Sequence, residues 1–163
     1  MPVLEAGVVV PDHWEHAGDE DHLPAGRNFV VCLDRLRRDQ EFLLARELPL
    51  GVVLPAGTRA ADVAEFLPKL ELVVVEFPKF KDGRGFTVAR ELRERYGFEG
   101  EIRATGHVLP DQYALLLRCG FSHVEVPDDA DLVVWQSALA RYKVAYQPGL
   151  TAENPLSWFR RKV

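Results

Sequence analysis

The chain has 163 residues, 47% of them apolar and 28% charged, with a formal net charge of −5. That is about one domain's length, with enough apolar material for a core and the proportions of a soluble globular protein. The acidic balance argues against general nucleic-acid binding, which needs a basic field, and no apolar run approaches the ~18 residues that span a bilayer.

Val8 to Val10, the turn residues Pro11 and Asp12, and then His13 and Trp14 read as a short N-terminal β-hairpin. The polar stretch Glu15 to Arg27, with Gly18, Pro24 and Gly26, reads as an exposed loop. His13, His16 and His22 fall at no standard zinc spacing, so no metal site is expected there. From Phe29 the chain alternates. Phe29 to Leu33 predicts a strand, followed by a helix carrying Leu36, Leu43, Leu44 and Leu48. Gly51 to Leu54 predicts a second strand, closed by Pro55 and Gly57. Thr58 can cap a helix from Arg59 to Leu67 with Ala60, Val63, Ala64 and Leu67 inward. Leu72 to Phe77 is a third strand, and its unbroken apolar run implies burial on both faces.

Phe86 to Tyr96 predicts an amphipathic helix with Val88, Ala89, Leu92 and Tyr96 inward. Gly97 supplies its left-handed stop, with Phe98 folding back. Glu101 to Thr105 is a fourth strand, and Pro110 opens a helix with Tyr113, Leu116 and Leu117 buried. His123 to Val126 is a fifth strand, followed by a helix placing Leu132, Trp135, Leu139 and Tyr142 at helical spacing.

Five strand-then-helix units imply a single-domain α/β fold with a parallel sheet covered by helices. An open three-layer sheet is the expected form, because five strands are too few to close a parallel barrel; a half-barrel is the alternative. The organisation expected is a hairpin and loop over 1–28, an α/β core over 29–146, and a tail over 147–163. The tail carries Trp158 and Phe159 ahead of Arg160, Arg161 and Lys162, and packs on the core or on a partner.

In such a sheet the carboxyl ends of the strands form the ligand-bearing rim. The strongest candidate there is the strand-to-helix turn Phe77 to Phe86. Gly83 and Gly85 let backbone approach a ligand, the following helix offers free N–H groups, and Lys79, Lys81 and Arg84 add charge. These residues suit a small oxyanion such as phosphate, sulfate or sulfite, or a carboxylate. The bland alternative is a tight turn with solvated cations and Asp82 pairing one of them. Gly83 and Gly85 do not complete a dinucleotide fingerprint, since Val88 stands at the third glycine position. His107, one residue past a strand, is a candidate acid–base group with Asp111 to orient it. Cys32 and Cys119 are the only cysteines, too few for a disulfide framework or a CxxC redox pair, and read as packing residues. Met1 to Glu5 lacks the basic flank and apolar core of a signal peptide, so a cytoplasmic location is expected.

The run Glu76 to Phe86, then Ala89-Arg90 and Leu92 to Phe98, resembles a bacterial family, domain of unknown function 934. Arg103-Ala104, Gly106, Val108-Leu109, Asp111-Gln112, Arg118 to Phe121 and Ala145 to Gln147 are similar to it as well, as is the early turn at Trp14. The resemblance implies an oxidoreductase or accessory protein of assimilatory sulfite reduction. The implied partners are sulfite reductase or its electron donor, or an oxyanion feeding it. No cofactor or catalytic residue carries over, although bound flavin can escape motif analysis. The family pattern has Gly-Asp-Val where this chain has Gly106-His107-Val108, which argues against His107 as a shared essential base. A small enzyme acting on an anionic metabolite is the second expectation.

Overall fold

A computed structural model describes residues 1–24 and 26–141. The eight strands among the described residues belong to one sheet: β1 (Val3–Glu5), β2 (Val8–Val10), β3 (Trp14–His16), β4 (Asn28–Cys32), β5 (Leu50–Leu54), β6 (Leu70–Phe77), β7 (Glu101–Gly106) and β8 (His123–Glu125). The spatial order is β2-β1-β8-β7-β6-β5-β4-β3. β3 to β8 run parallel and lie side by side in chain order, while β1 is antiparallel to β8 and β2 antiparallel to β1. The helices are α1 (Leu33–Arg38), α2 (Gln40–Leu44), α3 (Arg84–Glu94), α4 (Tyr113–Arg118) and α5 (Leu132–Arg141). Among the described residues no helix is long and apolar enough to cross a membrane.

Sequential strand order decides the architecture. Parallel crossovers are right-handed, so stepping always in one direction puts every crossover on the same face. The main core forms there: Val31, Val52, Val73, Val75, Ile102, Ala104 and Val124 on the strands meet Leu36, Val88, Leu92, Leu116 and Trp135 on the helices. The apolar cluster on the opposite face is small among the described residues: Val30, Leu72 and Val74, with Trp14 and Val53 packed beside them. The sheet therefore curls around that face. The two edge strands, β2 and β3, are separated only by Pro11, Asp12 and His13. Four Cα steps reach at most about 14 Å, whereas seven strand spacings on a flat sheet would part the edges by about 34 Å. The expected open three-layer sheet is thus replaced by a half-barrel. The count of five left the N-terminal strands out of the sheet: Val8–Val10 and the strand at Trp14 were expected only as a separate hairpin, and Val3–Glu5 was not expected.

The expected hairpin is also displaced. Val8–Val10 pairs with Val3–Glu5, through a turn at Ala6 and Gly7 with φ of 47° and 85°. Trp14–His16 pairs instead with β4, at the far edge. Two positive φ angles are those of the hairpin turn whose twist matches the strands, and this outweighs the turn signal at Pro11-Asp12.

The expected helix capped by Thr58 is instead two single 3₁₀ turns, Ala60–Asp62 and Leu67–Lys69, the first opened by Arg59. Three residues per turn align Ala60, Val63 and Phe66, all buried, which explains why Phe66 and not Ala64 faces inward. The stop of α3 is as expected: Gly97 has φ 61°, and the Phe98 N–H donates to Leu92 O at 2.9 Å. The long loop after β3 contains a buried Leu23 and is held by arginines. Arg35 donates to the carbonyls of Gly18 and Asp21, and Arg38 to that of Asp19.

The inner face of the curl is closed by Arg103, which is 2% exposed. Alternation along β7 sends Ile102 and Ala104 to the helix side and Arg103 to the inner face. Its guanidinium donates to both carboxylate oxygens of Asp12 at 3.0 and 3.1 Å, to Glu101 at 2.8 Å and to Glu125 at 3.1 Å. Thr105 donates to the other Glu125 oxygen at 2.6 Å, and His16 on β3 stands 3.8 Å from Glu125. Burial alone would raise the Glu125 carboxyl, but His16 and the bonds from Thr105 and Arg103 outweigh it and hold it at about 2.

Two outcomes are expected. Arg103→Ala leaves three carboxylates facing each other without their cation and costs about 3–5 kcal/mol, measured by urea unfolding. Glu125 ionises more readily folded than unfolded, so its contribution is complete above the ordinary value of 4.5 and is lost as pH falls toward about 2. Glu125→Gln should flatten the stability–pH curve in that window; an unchanged slope would refute the assignment.

Candidate functional site

Three strand ends at the carboxyl rim bring the expected residues together. β6 ends at Phe77, and residues 78–83 lead into α3. The loop closes on itself through the Asp82 N–H, which donates to Lys79 O at 3.0 Å. Asp82 then accepts from the Arg84 N–H at 3.1 Å, from Arg84 Nε at 2.9 Å and from Nη2 at 2.6 Å. A carboxylate placed just before the helix satisfies its first N–H and its positive end. These Arg84 bonds pull the Asp82 carboxyl down to about 2, and the pairing raises the guanidinium in turn. Arg84, one of the cations expected to meet an oxyanion, is instead held in bidentate geometry by the chain's own Asp82.

The two glycines differ in role. A Cβ on Gly85 would lie 2.5 Å from the Phe77 ring, so Gly85 allows α3 to seat on β6. A Cβ on Gly83 would meet nothing within 4 Å, and its φ is −80°. Arg84 also leans toward the neighbouring β5 loop, its Nη1 3.2 Å from where a Cβ on Gly57 would sit. The cleft between these loops, lined by Pro55, Gly57, Thr58, Glu76, Asp82 and Arg84, has a volume of about 10 Å³, room for a single water.

Lys79, Phe80 and Lys81 all project into solvent, with Lys81 Nζ 5.5 Å from the Phe80 ring centroid. Phe80 is 46% exposed and Leu109, on the next loop, 41%. Gln112 joins these two loops. Its carbonyl accepts from the Leu109 N–H at 3.1 Å, and its amide donates to Phe80 O at 2.8 Å. Sequence reasoning passed over Gln112 as a site residue; a polar side chain at the third position of a turn opened by Pro110 was the available signal.

His107 is anchored through its backbone, donating to Phe77 O at 2.8 Å, and its ring is exposed. Asp111 lies in the 3₁₀ turn Pro110–Gln112, also exposed, and no hydrogen bond or ion pair joins the two. Arg103 turns to the inner face and takes no part in the rim. Cys32 donates to Asp19 Oδ1 at 2.9 Å and accepts from the Arg35 N–H, tying the loop after β3 to α1. Burial pushes both the Cys32 and Cys119 thiols up, away from the reactive thiolate. The aromatic–basic tail lies outside the described residues.

These features define a small α/β half-barrel with a basic and apolar rim at the carboxyl ends of β6 and β7. The family described as bacterial protein of unknown function (DUF934) matches residues 51–157, more than half of the chain, and the protein belongs to that family. The matched span includes the whole rim, Arg103 and Glu125. A comparison with curated proteins finds no match.

If Asp82 occupies Arg84 as the geometry has it, Asp82→Asn should release the guanidinium. At matched ionic strength, sulfate or phosphate should then raise the melting temperature of Asp82→Asn by a few degrees more than that of the wild type. Equal rises in the two proteins would mean that Arg84 already receives anions with Asp82 in place.

Proposed function

We propose that this protein is an accessory component of assimilatory sulfite reduction that docks, through its β6–β7 rim, onto the reductase or its electron donor. The observation that carries this reading is the outward display of Phe80, between Lys79 and Lys81, and of Leu109 on the adjoining loop, the two loops being braced by Gln112. An exposed aromatic beside a second apolar side chain, flanked by cations, is the composition of a docking patch rather than of an enclosed substrate site. Bracing keeps the patch in one shape before contact, which lowers the ordering cost of binding. The sulfur-assimilation setting comes from the family resemblance. Direct oxyanion binding or catalysis on an anionic metabolite draws less support, because Asp82 holds Arg84 and the adjoining cleft admits about one water.

Binding of the purified protein to sulfite reductase and, separately, to its flavoprotein donor tests the proposal. One of them should bind. Phe80→Ala should weaken that complex about 30-fold with an unchanged melting temperature, and Lys79→Ala with Lys81→Ala should flatten its salt dependence. Failure of both proteins to bind, or wild-type affinity and salt dependence in both variants, would overturn the proposal. A visible flavin band in the purified protein would instead support redox chemistry of its own.

A further inference from the structure

We propose that the partner docked at the rim presents a carboxylate-rich protein surface and sits off centre, over the loops that follow β5 and β6 and away from the β8 end. The placement rests on the docking reading and fixes which way the complex faces. β5, β6, β7 and β8 lie side by side in that order, so the loops at their carboxyl ends succeed one another along the rim. Their charges are graded. Residues 55–58, after β5, carry none, and residues 78–84 carry Lys79, Lys81 and Arg84 against Asp82. Residues 107–112 carry Asp111 and the His107 imidazole, and residues 126–131 carry Asp128, Asp129 and Asp131 without a cation. These last three aspartates are exposed, Asp128 standing 3.2 Å from the Met1 nitrogen. Glu76 lies further back, on the inner face with Leu72 and Val74. The rim is therefore positive at β6, uncharged at β5 and negative at β8.

The loops after β5 and β6 make one continuous surface. Gly57, at φ 91°, has no side chain to part them, and Arg84 Nη1 lies 3.2 Å from where a Cβ there would sit. Asp82 holds Nε and Nη2 of the same guanidinium, and the cleft between the loops admits about one water. Among the described residues Pro55, Ala56 and Gly57 are exposed beside Phe80. A standard interface covers about 800 Å² of each partner, a patch about 28 Å across, whereas neighbouring strands stand about 5 Å apart. A footprint centred on Phe80 would therefore reach the β5 and β8 loops alike. Lys79 and Lys81 favour carboxylates opposite Phe80, but carboxylates carried over the β8 end would meet Asp128, Asp129 and Asp131 as like charges. A shift toward β5 keeps the attraction and removes the repulsion. It also places the partner on small uncharged side chains, which lose little on desolvation.

The test is a charge series at Ala56, read as affinity for whichever protein, sulfite reductase or its flavoprotein donor, binds the full chain. Ala56→Glu should weaken the complex at least about 10-fold and Ala56→Lys should tighten it about 3-fold, with unchanged melting temperatures and with both differences shrinking in high salt. Asp129→Ala should change affinity less than about 2-fold. Wild-type affinity in both Ala56 variants, beside a loss in Phe80→Ala, would overturn the placement and leave the docking reading standing. Equal losses from Ala56→Glu and Ala56→Lys would deny the partner an acidic surface and overturn it too. A larger gain from Asp129→Ala than from Ala56→Lys would move the partner to the β8 end, against the proposal. So would a dimeric mass that Phe80→Ala dissolves, which would assign the face to a second copy. If neither protein binds, the docking reading falls and the placement with it.

Discussion

The fold depends on one buried guanidinium. Right-handed crossovers place all the helices of a sequentially ordered parallel sheet on one face, so the other face can be buried only by curling on itself. At the β7–β8 end of this curl, Arg103 fills the inner face and reaches Asp12 in the connection between the two edge strands. The same cation holds Glu101 and Glu125 on its own side of the sheet. It thus joins residues 91 positions apart. An apolar side chain of similar volume could fill the space as well, because desolvating charges offsets much of their attraction. What the ion network adds is direction: only a segment carrying an acceptor at the position of Asp12 satisfies the buried donors, and that segment is the one linking β2 to β3.

Phe77 plays the corresponding part on the helix side and couples the core to the rim. Its ring meets those of Phe86 and Phe121 at 5.2 and 5.8 Å and leaves no space for a side chain at position 85. Its carbonyl accepts from the His107 N–H and lies 2.5 Å from where a Cβ on Gly106 would be, so the β7 loop must approach with a glycine there, at φ 90°. Both rim loops are positioned against this one buried residue, and Gln112 then ties them to each other. The arrangement of the rim surface is in this way fixed by packing beneath it.

Much of the site was legible as residue types and little of it as partnerships. Lys79, Lys81, Gly83, Arg84 and Gly85 were readable as a basic glycine turn because a strand, a turn and a helix succeed one another within a few residues. That Asp82 would take Arg84 for itself was one of two readings, and side-chain geometry chose it. Gly85 read as a backbone approach to ligand, whereas it is a helix–strand contact; both demand the same missing Cβ, so composition cannot separate them. Arg103 was visible as a charge within an apolar strand, yet nothing local names an acceptor as far away as Asp12.

By itself the sequence determined the local elements: the five core strands, the α3 face and its Gly97 stop, and the alternation that makes the fold α/β. These rest on periodicity and turn chemistry within a few residues. Only the tertiary structure decided the half-barrel, the pairing of Val8–Val10 with Val3–Glu5, the 3₁₀ winding that buries Phe66, and the inner ion network. The physical reason is common to all four. Each depends on which distant segment comes alongside, and that is set by crossover handedness and by satisfaction of buried groups across the whole sheet.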